Sequence, residues 1–161
     1  MAYTFFYQTD IGTIGISENG QGITAVYFGD TVRNSEDQVM ETPIIKEAHK
    51  QLDAYFSGTR KTFDLPFDLQ GTEFQQKVWN ALMQIPYGRT WTYGEVAASI
   101  GQPTAARAVG MANNRNPICV MVPCHRVIGS DGKLVGYAGG LSIKEYLLQL
   151  EERNKNVARQ I

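Results

Sequence analysis

Cysteine is almost absent: 161 residues hold two, Cys119 and Cys124. So few cannot frame a disulfide-stapled fold, and they suit a reducing compartment. Histidine is equally scarce, at His49 and His125. Cys119, Cys124 and His125 lack a fourth ligand and a zinc-like spacing, so no metal is expected, and a reducing compartment leaves no disulfide expected between the two thiols. No run of about 18 apolar residues exists, which excludes a membrane-spanning helix. Met1–Asp10 has neither a basic start nor a long apolar segment, so no secretory signal is expected and a cytoplasmic location follows as an expectation. Repeats and low-complexity tracts are missing too. The net charge of −1 gives the whole chain no surplus for a polyanion.

Hydrophobic residues make up 43% and charged residues 19%, enough to bury a core in one mid-sized domain or two small ones. The charge is unevenly divided. Residues 1–69 carry five basic and ten acidic side chains, net −5, and residues 70–161 carry ten basic and six acidic, net +4. We place the domain boundary there, with any polyanion meeting the second half.

The first half reads as strands Tyr3–Gln8, Gly12–Ser17 and Gly22–Phe28, with Asn19-Gly20 supplying turn chemistry. A loop over Thr31–Thr42 and a helix over Pro43–Phe56 follow, the helix carrying Ile45, Ala48, Leu52 and Phe56 on one face. Ser57–Asp68 reads as a connector. In the second half, capping boxes Thr72…Gln75, Thr92…Glu95 and Ser142…Glu145 predict helices to about Gln84, Ile100 and Asn154. Gly101-Gln102-Pro103 breaks the chain before a helix over Thr104–Asn113. That helix pair matches a helix-turn-helix, or an ordinary helical corner. Ile118–Val122 reads as strand-like, and Ser130–Lys133 as a hairpin turn that suits a wing.

Four residues carry possible chemistry. Cys124 follows Pro123, and His125 beside it can lower the thiol pKa or take its proton. That pair also reads as an inert buried thiol next to an unrelated histidine. Glu151 shares a helix side with Leu147, and a carboxylate there needs a partner; Cys, His and Glu in this order are what a hydrolase would also use. Arg107 projects from a smooth Ala/Gly-rich surface that lets another body approach closely. Tyr93 sits at a helix start, where a phosphate binds well. Phe74, Trp79, Tyr87 and Trp91 read as core or interdomain aromatics. His49 has no evident partner and reads as structural.

Together, Pro123-Cys124-His125-Arg126-Val127 resembles the signature of the O6-alkylguanine–DNA alkyltransferases, also called methylated-DNA–protein-cysteine methyltransferases. The resemblance runs from about Phe74 to Glu151. It takes in Tyr87-Gly88, Thr92-Tyr93, Ala105–Gly110, Asn116-Pro117, Tyr137–Leu141 and Lys144-Glu145. It implies an α/β (α+β) fold, with an N-terminal ribonuclease-H-like small sheet plus helix and a C-terminal winged helix-turn-helix-like helical domain. It implies that Cys124 accepts the alkyl group of O6-alkylguanine, and of O4-alkylthymine, in one irreversible turnover. His125 would act as base through a water, oriented by Glu151, and Asn116 would brace the turn. Tyr93 and Arg107 would promote nucleotide flipping, with Tyr93 also stabilising the leaving base. Val127, Tyr137, Ala138 and Gly139 would line the guanine pocket. Thr104, Ala105, Ala106, Ala108 and Arg115 would join Arg107 against the minor groove of double-stranded DNA. A monomer is implied, with no cofactor, metal or membrane. Some members hold zinc in the first domain, but residues 1–69 contain no cysteine and only His49. Ala138 stands where some members carry serine, which removes one hydrogen bond to the lesion. The competing reading is a non-repairing lesion sensor or a winged-helix DNA-binding regulator.

Overall fold

The computed structural model describes residues 1–156. The fold is mixed α/β, with a small N-terminal sheet and a helical C-terminal part. Strands β1 (Tyr3–Thr9), β2 (Gly12–Glu18) and β3 (Ile23–Phe28) form an antiparallel meander. A fourth strand, β4 (Gln38–Val39), joins β1 in parallel, giving the order β3-β2-β1-β4. It lies inside the expected loop. Two exposed residues show no alternation of burial, so the sequence carries no strand signal there.

Helix α1 (Pro43–Phe56) covers one face of the sheet. The Thr42 hydroxyl caps Ile45 N, Pro43 occupies the first turn where no N–H is missed, and Ile45, Ala48, Leu52, Tyr55 and Phe56 are buried. The expected capping boxes form at Thr72/Gln75, opening α2 (Glu73–Leu82), and at Thr92/Glu95, opening α3 (Tyr93–Ser99). Helix α4 (Ala106–Asn114) starts two residues later than predicted, because Ala105 N bonds to Gln102 O in the preceding turn. The third capping box does not form. Helix α5 (Leu141–Asn154) starts at Gly140, whose φ of 95° sets the chain's entry, and Ser142 already lies inside the first turn.

Strands β5 (Trp91–Thr92) and β6 (Val127–Ile128) pair in parallel. The Ser130–Lys133 turn closes through Gly129 N to Lys133 O at 2.9 Å. No strand follows it among the described residues, so the hairpin wing is replaced by the β5–β6 pair.

The Ile118–Val122 run is not a strand either. Pro117–Cys119 touches the free edge of β3, with Val26 N to Pro117 O at 2.9 Å and Cys119 N to Val26 O at 3.0 Å. The chain then reverses through two γ-turns. Met121 N bonds to Cys119 O around Val120, whose φ is 71°. Cys124 N bonds to Val122 O around Pro123, at φ −81° and ψ 64°. One buried cluster, from Ile16 and Val26 through Tyr55 and Leu82 to Val109 and Leu147, runs through both parts.

Candidate active site

Cys124 opens a single 3-10 turn, Cys124–Arg126, between the second γ-turn and β6. Asn116 holds this geometry. Its Nδ2 donates to Val122 O at 2.7 Å and its Oδ1 accepts from Ile118 N at 3.0 Å, so one buried amide ties both ends of the reversing segment. That bracing sustains a β-branched residue, Val120, in the left-handed region at a cost of about 1–3 kcal/mol. Asn113 of α4 adds a bond from Nδ2 to Cys124 O at 3.4 Å.

His125 and Glu151 are fully buried and meet at 2.7 Å through Nε2 and Oε2. Glu151 accepts four further hydrogen bonds. Tyr55 Oη donates at 2.5 Å, Arg126 Nε at 2.8 Å, Arg126 Nη2 at 3.0 Å and Gly88 N at 3.1 Å. Gly88 has φ 79°, and an added Cβ would press on Lys155 Cβ at 2.7 Å, so only glycine brings its N–H to the carboxylate. Burial opposes ionisation of Glu151, but His125 and Arg126 outweigh it and hold the carboxyl well below the usual range. Burial also pushes His125 below its ordinary value, against the pull of Glu151. At neutral pH the imidazole is therefore uncharged, and Arg126 supplies the carboxylate's counter-charge. Because Nε2 donates to Glu151, the lone pair rests on Nδ1, which is buried with no partner among the described residues. This is the tautomer a general base needs.

The Cys119 thiol, the Asn116 amide and the Lys144 ammonium outweigh burial and hold the Cys124 thiol below its ordinary value. Lys144 of α5 is itself fully buried. Its Nζ donates to Val127 O at 2.6 Å and Val135 O at 2.7 Å, which clasps the loop after β6 to α5 and sets a positive charge near Cys124. A thiolate stabilised in this way is a nucleophile near neutral pH.

A narrow cleft in front of Cys124 is lined by Asn113, Asn116, Cys119, Cys124, Tyr137 and Ala138. Two residues expected in the lining stand beside it. Val127 continues into β6, and Gly139 packs against the Phe28 ring, where an added Cβ would come to 2.9 Å. Tyr93 lies over Gly110, and its Oη donates to Val135 O at 3.5 Å. Burial and nearby Cys124 push its phenol up, so it stays a proton donor. On α4, Arg107 is exposed with no ion pair among the described residues; Thr104, Ala108 and Arg115 are also exposed, and Ala105 and Ala106 are half-buried.

Four residues of this site had no assigned role in the sequence. Tyr55 comes from the other half of the chain, and only the fold brings it to Glu151. Arg126 stands inside the signature and looks like a surface charge until its two partners are seen. Lys144 enters the resemblance only as part of Lys144-Glu145, with no role attached, and Asn113 carries no local pattern at all. Among the aromatics, Trp79 is buried with Nε1 on Ala112 O at 2.9 Å, and Tyr87 packs edge-on to Tyr55. His49 does have partners: it stacks on Tyr7 at 3.7 Å and contacts Asp53 at 3.3 Å. No group of three metal-binding side chains occurs among the described residues, and no described helix is long and apolar enough to cross a membrane.

Two family profiles match the chain. One, for the ribonuclease-like domain of 6-O-methylguanine DNA methyltransferase, covers residues 1–69, and one for its DNA binding domain covers residues 73–153. A methylated-DNA–protein-cysteine methyltransferase of Methanosarcina barkeri is 52% identical over 94% of this chain and 98% of its own. The constitutive enzyme of that name from Bacillus subtilis is 46% identical over 94% and 96%. The crystal structure of Mycobacterium tuberculosis OGT in complex with DNA superposes with a TM-score of 0.89 at 44% identity, covering 94% of each chain. With both profiles matched and half the residues shared along nearly the whole length, the chain belongs to the 6-O-methylguanine DNA methyltransferases, the methylated-DNA–protein-cysteine methyltransferases.

Proposed function

We propose that this chain repairs DNA by transferring the alkyl group of O6-alkylguanine, and of O4-alkylthymine, to Cys124 in a single turnover. The observation that carries this reading is a cysteine held below its ordinary pKa beside a neutral imidazole that Glu151 pins by Nε2. The O6 substituent points into the duplex, so the nucleotide must leave the stack to reach the cleft. Helices α3 and α4 act as a helix-turn-helix pair in the minor groove. The small residues Ala105, Ala106 and Ala108 allow close approach, while Thr104 and Arg115 meet the backbone. Arg107 fills the emptied place in the stack, and Tyr93 crowds the phosphate.

The chemistry then balances with groups at hand. The Cys124 proton passes through a water to His125 Nδ1, and Asn116 keeps the sulfur aimed. The thiolate attacks the alkyl carbon in line; the S–C bond forms as the C–O6 bond breaks. Guanine leaves with its charge relieved by a hydrogen bond from the Tyr93 hydroxyl to its ring, in a pocket walled by Tyr137 and Ala138 with Val127 and Gly139 behind. The thioether formed has no leaving route, so each chain acts once. The protein works as a monomer, in the cytoplasm, without cofactor.

Intact mass after mixing with excess duplex DNA containing O6-methylguanine tests this directly. The expected result is a gain of one methyl group, mapped to Cys124 and saturating at one per chain. Binding without mass gain would establish a lesion sensor; neither binding nor gain would overturn both readings.

Arg107 offers a separate check on flipping. Arg107→Ala keeps helix α4, since alanine is the best helix former. Holding a nucleotide out of the stack costs a few kcal/mol, so losing about 2–3 kcal/mol of that support slows single-turnover transfer from duplex DNA roughly 30–150-fold. Transfer from free O6-methylguanine base, which needs no flipping, is expected to change less than about twofold. Equal losses on both substrates would remove Arg107 from the flipping step.

A further inference from the structure

The second cysteine does not itself accept the alkyl group, yet it is not placed at random. Cys119 is buried, and its thiol faces the same narrow cleft as Cys124. The two γ-turns cause this. The reversal at Val120 and the one at Pro123 fold the five-residue interval back on itself, and Asn116 locks the fold by its bonds to Ile118 and Val122. Both side chains are free thiols, and beside Cys124 itself the polar contact of Cys119 is Asn116 O, a weak one at 3.9 Å. Little therefore holds it in place against a turn toward its neighbour.

We propose that Cys119 is a resolving thiol, and that the Cys119–Cys124 pair is an oxidation site that closes to a reversible disulfide when peroxide reaches the cleft. The inference rests on Cys124 being the reactive thiol of the proposed function. The Cys124 thiolate attacks one oxygen of hydrogen peroxide, the O–O bond breaks, and hydroxide leaves to take up a proton as water. The Cys124 sulfenic acid that remains is then attacked by the Cys119 sulfur. The S–S bond forms, the S–O bond breaks, and the departing hydroxyl takes the Cys119 proton as a second water. The two sulfurs together lose two electrons, and the peroxide gains them. In the resting protein the neighbouring Cys124 thiolate keeps Cys119 protonated. Once Cys124 is an uncharged sulfenic acid, that restraint is gone and Cys119 is released to attack.

The consequence is protective. A sulfenic acid without a nearby thiol proceeds to sulfinic acid, which ordinary thiols do not reduce. A protein consumed by one alkyl group would then be lost without repairing anything. A bridge across so short a loop adds little stability and stays open to reduction by thiols.

The test treats the protein with hydrogen peroxide in the absence of DNA and maps its peptides without reduction. A Cys119–Cys124 cross-linked peptide, with two hydrogens lost from the intact mass, is expected. Dithiothreitol is then added and methyl transfer measured, each protein normalised to its own untreated activity. The wild type is expected to recover to within about twofold, and Cys119→Ser and Cys119→Ala to recover less than roughly a tenth, with sulfinic acid on Cys124. An absent cross-link, a bridge between two chains, or equal recovery in the variants would each overturn the proposal. Because the cross-link is read without substrate, its absence says nothing against alkyl transfer, and failed transfer in untreated protein leaves the cross-link result standing. If neither variant folds, the wild-type peptide map decides.

Discussion

Cys124→Ala will accept no methyl group at all, while its affinity for duplex DNA containing O6-methylguanine stays within about threefold of the wild type, under about 1 kcal/mol. Two features of the structure separate those outcomes. The sulfur lies buried in a cleft, whereas the Arg107 and Ala108 of α4 that meet DNA in the proposed function are exposed. The removed atom is the one that attacks, and nothing nearby replaces it. His125 Nε2 meets Glu151 and lies 3.4 Å from Tyr55 Oη, and the ring is held neutral by burial, but an imidazole with a free lone pair on Nδ1 is a base, not the acceptor of the alkyl group. Cys119 lines the same cleft, yet its thiol is pushed well above the ordinary value by its hydrogen bond to Cys124, burial and the Cys124 charge. Removing Cys124 takes away two of those causes and leaves burial, so Cys119 stays protonated near neutral pH and is a poor nucleophile. Peptide mapping of the variant after long incubation with lesion DNA checks this. Stoichiometric methyl on Cys119 would show that position, and not the activation of Cys124, decides the acceptor. Loss of binding together with transfer would show that the sulfur contributes to recognition.

Much of this site is visible in the sequence because its parts are local. Pro123-Cys124-His125 brings nucleophile and base side by side, while Arg126, next in the chain, shows itself as the carboxylate's counter-ion only in the fold. The Thr72 and Thr92 capping boxes mark two helix starts, since a cap is written in residues three apart. Glu151 is legible because a carboxylate on the Leu147 side of a helix requires a buried partner. The misses follow from the same rule. Strands β4, β5 and β6 are two residues long and show no period, so only their hydrogen bonds define them. Ser142…Glu145 satisfies the capping pattern, but Gly140 starts the helix earlier. Ile118–Val122 has the composition of a strand, while the Asn116 amide and the left-handed Val120 turn it into a double reversal. Tyr55 is 96 residues from Glu151 in the chain. Nothing local to an amphipathic helix tells which of its buried aromatics carries a hydroxyl into the catalytic cluster.

That long-range contact makes Glu151 the residue with the largest expected effect on stability. The carboxylate accepts five hydrogen bonds from two elements and a loop, and it neutralises a buried guanidinium. Glu151→Ala leaves Arg126 buried without an anion. Arg126 retains only its Nη1 bond to Ile85 O at 2.7 Å. Breaking one side of a buried ion pair costs about 3–5 kcal/mol, a large share of the roughly 5–15 kcal/mol that holds a domain together. Glu151→Gln keeps the shape and one acceptor but not the charge, and its amide N–H₂ faces donors, so it recovers less than half of that loss. Denaturant midpoints at neutral pH measure both variants.

The pH dependence gives the same cluster a second signature. Glu151 has a folded pKa below its unfolded value, so its contribution is complete above the carboxylate range and is lost as pH falls. His125 is also lower in the folded state than its ordinary 6.5. Below that value the unfolded chain binds a proton that the folded one refuses, and this too costs stability as pH falls. Both groups therefore predict a decline in stability as pH falls from 7, in two stages, His125 first, below its ordinary 6.5, and Glu151 after it, below the ordinary carboxylate value of 4.5. Glu151→Gln abolishes the later stage and enlarges the earlier one, because an uncharged partner no longer draws a proton onto the imidazole and its folded pKa falls further below the ordinary value. A wild-type stability flat between about pH 7 and pH 5 would mean that burial does not hold His125 uncharged, and no further decline below about pH 4 would mean that the carboxylate is not ionised where it lies.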